Sequence, residues 1–371
     1  MAPIILLSLA IHSCYLGSKV VLSLFALELG ANQFTVGVLA ALYAVMPLAL
    51  GIYSGRLADT RGMRLPLMVG AACTGLAMLT GFLWQQLSGL VAVSILVGAG
   101  FVFFNVAIQN LTGAYGKPEQ RARNFAWLSM GYSVSAFIGP MFAGFSIDHA
   151  GHGMTFLFFA GFTLLPIAIL AFKPSLTEIT AQPGDEGKRS AFDLLHNATL
   201  RRLIFVSGLC VASAELFAFY VPVFAHSIEL SASTIGIILG AYAAAVFVSR
   251  FMLPALLRRF RSEQIMFASM LVAACAFAVF PWLRNVYALM AAAFVIGVGT
   301  GCAQPVLMAL SYEKSPAGRT GEVTGLRLTA NNVARITIPL ISGAIGMAVG
   351  AAPVFWMNAI NLAFVSYLSR K

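Results

Sequence analysis

The chain has 371 residues, of which 60% are hydrophobic and only 10% charged, and its mean hydropathy is +0.88. Soluble domains carry about one-quarter charged residues, so this composition excludes the polar shell of a water-soluble protein. The net charge of +10 does not indicate nucleic-acid binding, because the basic residues separate long apolar runs instead of forming one water-facing patch. We therefore expect an all-α membrane protein.

Twelve stretches have about the 20 apolar residues that a bilayer-crossing helix needs. The first six are 4–27, 34–55, 65–86, 89–112, 124–147 and 154–172. The last six are 203–226, 232–256, 264–283, 286–311, 321–346 and 350–368. The first run lacks the basic start and cleavage site of a signal peptide, so we interpret it as a span.

The polar stretch 173–200 is the long break between these two blocks of six. It predicts a six-helix bundle over 1–172, a cytoplasmic linker over 173–200 and a second bundle over 201–371. Within the linker, residues 190–197 are expected either as a short helix on the inner membrane face or as a plain loop.

The basic residues test this topology. With twelve spans, both termini and every second loop lie on one side of the membrane. Of the 23 Lys and Arg residues, 18 fall on that side, the two at the C-terminus included. Since cytoplasmic loops are enriched in Lys and Arg, both termini are expected in the cytoplasm, as in a bacterial inner-membrane protein.

The second half repeats the first at a shift of 199 residues. This register superimposes residues that shape helices in several spans at once, as expected for parallel halves. The matched pairs are Gly37 and Gly236, Tyr43 and Tyr242, Gly98 and Gly297, Gly100 and Gly299, Pro140 and Pro339, Gly144 and Gly343.

The loop after the second span carries a motif that resembles a family signature. It runs Gly55-Arg-Leu-Ala-Asp59-Thr-Arg61-Gly62-Met-Arg64 and resembles the signature loop of the major facilitator superfamily, written G-x-L-a-D-r-x-G-r. The resemblance implies two six-helix bundles, transport of a small molecule without enzymatic chemistry, and a conformational latch in which the Asp59 carboxylate meets arginines or a helix N-terminus. The matching loop of the second half, from Arg250 to Arg261, keeps the basic residues but lacks the aspartate and the glycines.

The fifth span carries a Gly139-Pro140 pair followed by Gly144, and Pro339 is its counterpart in the eleventh span. This segment looks like the Gly-Pro motif of antiporters in the same family, in the bacterial drug and metabolite branch, and it predicts tightly packed helices that can bend. Ser94 stands where drug antiporters usually carry an arginine. Exchange and uniport both remain open.

Three charged residues lie near the middle of predicted spans: Lys19, Glu215 and Arg335. Charges at this depth are costly, so each marks a candidate functional site. Lys19 and Glu215 could pair across a central cavity, leaving Arg335 as surplus positive charge. One hypothesis has the two cations attract an anionic solute while Glu215 takes up a proton as the cavity wets and dries. The alternative is a structural ion pair with a neutral solute.

Polar residues at similar depths complete the candidate site, unless they serve only as hydrogen bonds between helices. They are Tyr15, Asn105, Gln109, Tyr220, Gln304, Asn331 and Asn332. The five cysteines all fall in apolar runs and are interpreted as core thiols.

Motifs for nucleotide, metal or nucleophile chemistry are absent from the sequence, so no cofactor, metal or enzymatic activity is expected. We expect a monomeric secondary active transporter that exports a small organic solute by proton antiport. The alternatives are a gradient-driven facilitator, a symporter of an organic anion, and a membrane receptor that kept the fold without transport.

Overall fold

A computed structural model describes residues 1–115, 121–172, 191–314 and 320–369, with a few side chains inside these ranges left out. The first four helices are α1 (Ala2–Glu28), α2 (Gln33–Arg61), α3 (Arg64–Leu83) and α4 (Leu87–Ala114). The helical run Arg121–Phe172 is interrupted at Gly151, whose φ of 80° and ψ of 171° are not helical. We name the helix before Gly151 α5 and the helix after it α6.

The second half begins with a short 3₁₀ helix, Ala191–His196, so the linker segment expected as a helix or a loop is helical. Next come α7 (Ala198–Ser227), α8 (Ala232–Leu257) and α9 (Ser262–Val279), which continues into a 3₁₀ turn at Phe280–Trp282. The helix α10 has two parts, Val286–Gly301 and Ala303–Lys314, separated by a turn at Cys302. The chain ends with α11 (Thr320–Val349) and α12 (Ala351–Leu368).

In the described ranges, eleven helices are long and apolar enough to cross a membrane, and the longest, Trp127–Phe172, has 46 residues. That length is enough for two crossings. Many large apolar side chains stay exposed along the helices, as lipid contact requires. The predicted all-α membrane fold with about twelve spans is confirmed.

Two helices extend well beyond their predicted spans. The second span was expected to end at residue 55 and α2 continues to Arg61, and the seventh was expected to begin at residue 203 and α7 begins at Ala198. Charged residues do not break a helix once it has left the bilayer, whereas Gly62 does, because it adopts φ 78° in the left-handed region.

The helices form two compact units. The first contains Met1–Asp185 and Ala225–Gly240, and the second contains Glu186–Phe224 and Ala241–Lys371. The start of α8, which the sequence assigns to the second half, thus packs with the first unit.

The repeat at a shift of 199 residues is visible in helix packing. A Cβ atom added to Gly98 of α4 would lie 2.8 Å from the carbonyl oxygen of Tyr43 in α2, and one added to Gly297 of α10 would lie 2.4 Å from the carbonyl oxygen of Tyr242 in α8. Glycine at these two positions lets the backbones touch.

The same register governs the backbone between helices. The residues with positive φ include Gly30 and Glu229, which differ by 199, and Gly151 and Gly350, which also differ by 199. Arg261, the counterpart of Gly62, has φ −72°. The second half therefore preserves the turns of the first, except at the loop where the signature motif was lost.

Candidate functional site

In the first unit, Lys19 of α1 lies over two aromatic rings. Its Nζ is 4.9 Å from the centroid of Tyr15 and 5.9 Å from that of Tyr43. Tyr15 in turn stacks on Phe101 of α4 at a centroid distance of 3.8 Å, and Tyr43 donates its hydroxyl to Ser18 over 3.2 Å. Rings that face a cation stabilise it by about 0.5–2 kcal/mol, so these two contacts favour the placement of the half-buried Lys19 side chain here.

The aromatic surface extends one turn along α1 to His12. Its ring stacks on Tyr132 of α5 at 4.0 Å and meets the edge of Phe101 at 5.1 Å. Tyr132 donates its hydroxyl to Asn105 over 3.1 Å. Asn105 was a predicted site residue, whereas His12 and Tyr132 were not. The signal was present, because His12, Tyr15 and Lys19 recur at the spacing of one helix face.

Gln109 lies one turn beyond Asn105 on α4, and its side chain is exposed. Phe101, Asn105 and Gln109 thus form one stripe along this helix. Together with Lys19, the stripe groups one buried aromatic ring, two amides and one cation in the first unit.

In the second unit, Glu215 of α7 forms an ion pair with Arg335 of α11, with Oε1 and Nε 3.1 Å apart. We had expected Arg335 as a surplus cation, and this pairing corrects that expectation. The two side chains are 18% and 37% exposed, so neither is fully buried in the protein. A partly desolvated pair has a favourable Coulomb energy, yet either partner can be changed without leaving a fully buried charge.

The helix α11 carries a second cation, Arg327. It is buried, with 4% exposure, and donates Nη1 to the side-chain oxygen of Gln304 in α10 over 3.0 Å. Asn331, one turn further, lies 3.0 Å from the hydroxyl of Ser207 in α7. Arg327, Asn331 and Arg335 share one face of α11 because they are four residues apart.

Two further candidates have different surroundings. Tyr220 is fully buried and meets Phe355 of α12 edge-on, at a centroid distance of 5.6 Å, so in this conformation it lies in the core of the second unit. Asn332 is half-buried beside Asn331. Contact of either residue with a solute stays a prediction.

The tyrosines matched by the repeat are held in similar ways. Tyr242 of α8 stacks on Phe217 at 4.3 Å, and its hydroxyl lies 3.1 Å from the hydroxyl of Thr300 in α10. Tyr43 is anchored by Ser18 in the first unit. A hydrogen-bonded hydroxyl restricts the ring, which favours a packing role for both.

The predicted latch is described in part. The side chain of Asp59 lies outside the described residues, Gly55 has open space beside it, and Arg61 is exposed. Arg64 donates Nη2 to the carbonyl oxygen of Ala171 over 3.4 Å, which satisfies a carbonyl at the end of α6. Closure of this latch stays a prediction.

A contact that the sequence did not reveal joins α5 to the start of α8. The Asp148 carboxylate accepts the backbone N–H groups of Ala232 at 3.0 Å and Ser233 at 2.8 Å. Below it, a Cβ atom on Gly144 would lie 2.3 Å from the carbonyl oxygen of Ala232, and one on Gly236 would lie 2.7 Å from that of Pro140. Asp148 therefore caps the N-terminus of α8, and the backbones of α5 and α8 lie close together just below this cap.

The motif glycines of α5 serve close packing in this structure. A Cβ atom on Gly139 would lie 2.7 Å from the carbonyl oxygen of Ser13 in α1. The helix remains regular through Pro140, and the break in its run lies at Gly151. Bending at Gly139, Pro140, Gly144 and Pro339 stays a prediction.

A histidine close to Asp148 contacts α1. The Nδ1 atom of His152 lies 2.5 Å from Oε2 of Glu28, and the His152 ring stacks on Phe25. In the part of the chain that the structure describes, no three His, Cys, Asp or Glu side chains are grouped to hold a metal.

The sequence and the fold were compared with known proteins. The family model described as Major Facilitator Superfamily matches residues 6–339. The Quinolone resistance protein NorA of Staphylococcus aureus (strain COL) is 25% identical over 362 residues, covering 93% of this chain and 89% of that protein. The Multidrug resistance protein MdtG of Serratia proteamaculans (strain 568) is 23% identical over 323 residues, covering 84% and 77%.

Solved structures share the fold. The inward-facing, unoccupied structure of a bacterial homologue of the human lysosomal transporter Spinster has a TM-score of 0.79 at 14% identity, covering 99% of this chain and 96% of that chain. A peptide transporter of the POT type in complex with sulfate has a TM-score of 0.82 at 14% identity, covering 99% and 93%.

Proposed function

Because the chain belongs to the major facilitator superfamily, a family of multi-pass membrane transporters, we propose that it exports small organic solutes, drugs among them, in exchange for protons. Two relatives named for drug resistance, which align with most of its length, support export over import. We place it as a monomer in a bacterial inner membrane with both termini in the cytoplasm.

The observation that carries the proposal is the ion pair between Glu215 and Arg335. Charged groups within a span are retained where they act on a substrate or on protons. A proton bound to Glu215 neutralises the carboxylate and weakens its ion pair with the Arg335 guanidinium. Protonation therefore changes the charge carried by α7 and α11, and exchange requires that the proton and the solute bind in alternate steps of the transport cycle.

The surface around Lys19 indicates the solute class. The rings of Tyr15 and Phe101 stack on each other and are 7% and 8% exposed, so they form an apolar aromatic cluster beside the half-buried Lys19, whose Nζ lies over the Tyr15 ring. A solute with an aromatic ring and an anionic group fits both features. We therefore propose aromatic acids as the preferred solutes.

A facilitator without proton coupling is the second candidate, and one observation favours it. Ser94 of α4 is fully buried and donates its hydroxyl to the carbonyl oxygen of Leu90 over 2.9 Å. The position where drug antiporters usually carry an arginine is thus occupied by a side chain bonded within its own helix.

The test uses purified protein in liposomes. Uptake of anionic, neutral and cationic aromatic solutes is measured with and without a pH gradient, and by counterflow without a gradient. We expect Glu215→Gln to abolish the response to the pH gradient while counterflow persists. The matched control is Glu229→Gln, which removes an exposed carboxylate at a turn and should behave as the unchanged protein.

Two results would contradict the proposal in different ways. An unchanged gradient response in Glu215→Gln would remove the coupling role of Glu215, whereas counterflow without any gradient response in the unchanged protein would favour the facilitator. Counterflow of cations alone would remove the preference for aromatic acids.

A further inference from the structure

The turn between α8 and α9 carries a basic cavity of about 450 Å³. Arg258, Arg259 and Arg261 line it together with Leu257, Phe260, Ser262 and Gln264, and none of these seven residues is acidic. All three arginines are exposed, and the contacts His152–Glu28 and Glu215–Arg335 do not involve them. The cavity is therefore a concentrated positive site.

An apolar groove of about 530 Å³ begins at the same place. It shares Phe260 and Gln264 with the basic cavity and continues along α9 and α10 past Ala268, Val272 and Val298. From Gln264 to Val272 the groove follows α9 for about 12 Å, at 1.5 Å per residue. Phe260 is 52% exposed, so an apolar ring stands uncovered at the junction.

The turn joins the ends of two spans on the side that the basic residues assign to the cytoplasm. A cation cluster at the membrane surface above an apolar groove that enters the membrane matches the two parts of a phospholipid. The positive-inside rule explains the arginines, but it does not explain the groove beneath them.

The repeat provides a second argument. At the shift of 199 residues, Arg258 occupies the position of Asp59, and Arg261 occupies that of Gly62. The first half places a carboxylate here, which can cap a helix N-terminus. The Arg258 guanidinium at the matching position cannot accept hydrogen bonds from backbone N–H groups, but a guanidinium can bind phosphate through paired N–H donors.

We propose that this composite site binds an anionic phospholipid of the inner leaflet. The arginines hold the phosphate, and the groove along α9 holds the start of one acyl chain. The site belongs to the second unit and is independent of the solute and proton residues proposed above.

The experiment measures lipid binding by native mass spectrometry on purified full-length protein, without any transport step. The probes are phosphatidylglycerol, zwitterionic phosphatidylcholine with the same chains, and inorganic phosphate. The headgroup variant is Arg258→Gln with Arg259→Gln and Arg261→Gln. Its matched control removes three other predicted cytoplasmic charges, Lys188→Gln, Arg189→Gln and Arg201→Gln. The groove variant Ala268→Phe keeps every charge.

We expect phosphatidylglycerol to bind more tightly than phosphatidylcholine. The headgroup variant should lose affinity on the order of 100-fold, since each basic residue near anionic lipid contributes about 1 kcal/mol. The control should change by less than about threefold. Ala268→Phe should weaken phosphatidylglycerol binding and leave any binding of inorganic phosphate intact.

The inference is overturned by equal binding of the two lipids, by equal losses in the headgroup variant and its control, or by phosphate binding that is as tight as lipid binding. If the headgroup variant does not accumulate, Ala268→Phe decides the question by itself, because unchanged lipid binding in that variant excludes the groove.

Discussion

The contact between Gly297 and Tyr242 yields a quantitative prediction for Gly297→Ala. The new methyl group would lie 2.4 Å from the Tyr242 carbonyl oxygen and 2.7 Å from Cβ of Ala245. Ordinary contacts begin at 3.4 Å, so the two helices would have to separate by roughly 1 Å. In Gly98→Ala the required separation of the helices is smaller, because the new methyl group would lie 2.8 Å from the Tyr43 carbonyl oxygen.

Overpacking of this kind costs about 1–3 kcal/mol, while the change from glycine to alanine in a helix returns up to about 1 kcal/mol. We therefore expect a net loss of about 1–2 kcal/mol for Gly297→Ala and less for Gly98→Ala. Gly161→Ala is the matched control, because nothing lies within 4 Å of its added methyl group. That variant should be neutral or slightly stabilised.

The assay is thermal unfolding of the detergent-purified protein, followed by intrinsic fluorescence at a fixed scan rate. Gly297→Ala should unfold a few degrees lower than the unchanged protein, Gly98→Ala should lie between them, and Gly161→Ala should be equal or higher. An unfolding temperature for Gly297→Ala at or above that of Gly161→Ala would refute the reasoning from backbone contact.

Three other changes test the site. Asp148→Asn removes the charge that caps α8, which should cost about 1–2 kcal/mol of stability. The backbone amides of Ala232 and Ser233 should then exchange hydrogen faster, and unchanged exchange would count against the cap. Lys19→Gln should raise the KM for anionic aromatic solutes about tenfold, which corresponds to a loss of roughly 1.4 kcal/mol of binding energy, and should leave the KM for cationic solutes unchanged. Equal changes in the two KM values would contradict a preference for anions. Gln304→Leu leaves the buried Arg327 without its acceptor and should lower thermal stability by about 1–3 kcal/mol, whereas no change would mean that another group satisfies the guanidinium.

The fold was predictable because bilayer crossing imposes a length and an apolar composition on every helix. The Lys and Arg residues are then concentrated in the loops on one side of the membrane. The same logic failed at the end of α2, since hydropathy reports where the membrane ends and not where the helix ends. Only the backbone conformation of Gly62 marks that end.

The candidate site was predictable in its members but not in its pairs. Glu215 and Arg335 were identified because charges inside a span are rare, yet their pairing depends on how α7 and α11 are rotated, which hydropathy does not specify. The cap formed by Asp148 was missed for a related reason. Its backbone partners are 84 and 85 residues further along the chain, and no local pattern connects them.

The packing of Tyr43 on Gly98 and of Tyr242 on Gly297 bears on how the two halves of a repeated chain can diverge. Each contact is made by a carbonyl oxygen and a missing side chain, so it does not depend on the ring of the tyrosine. One half can therefore exchange that ring, and with it the partners of the ring and its hydroxyl, while the close approach of its helices stays unchanged.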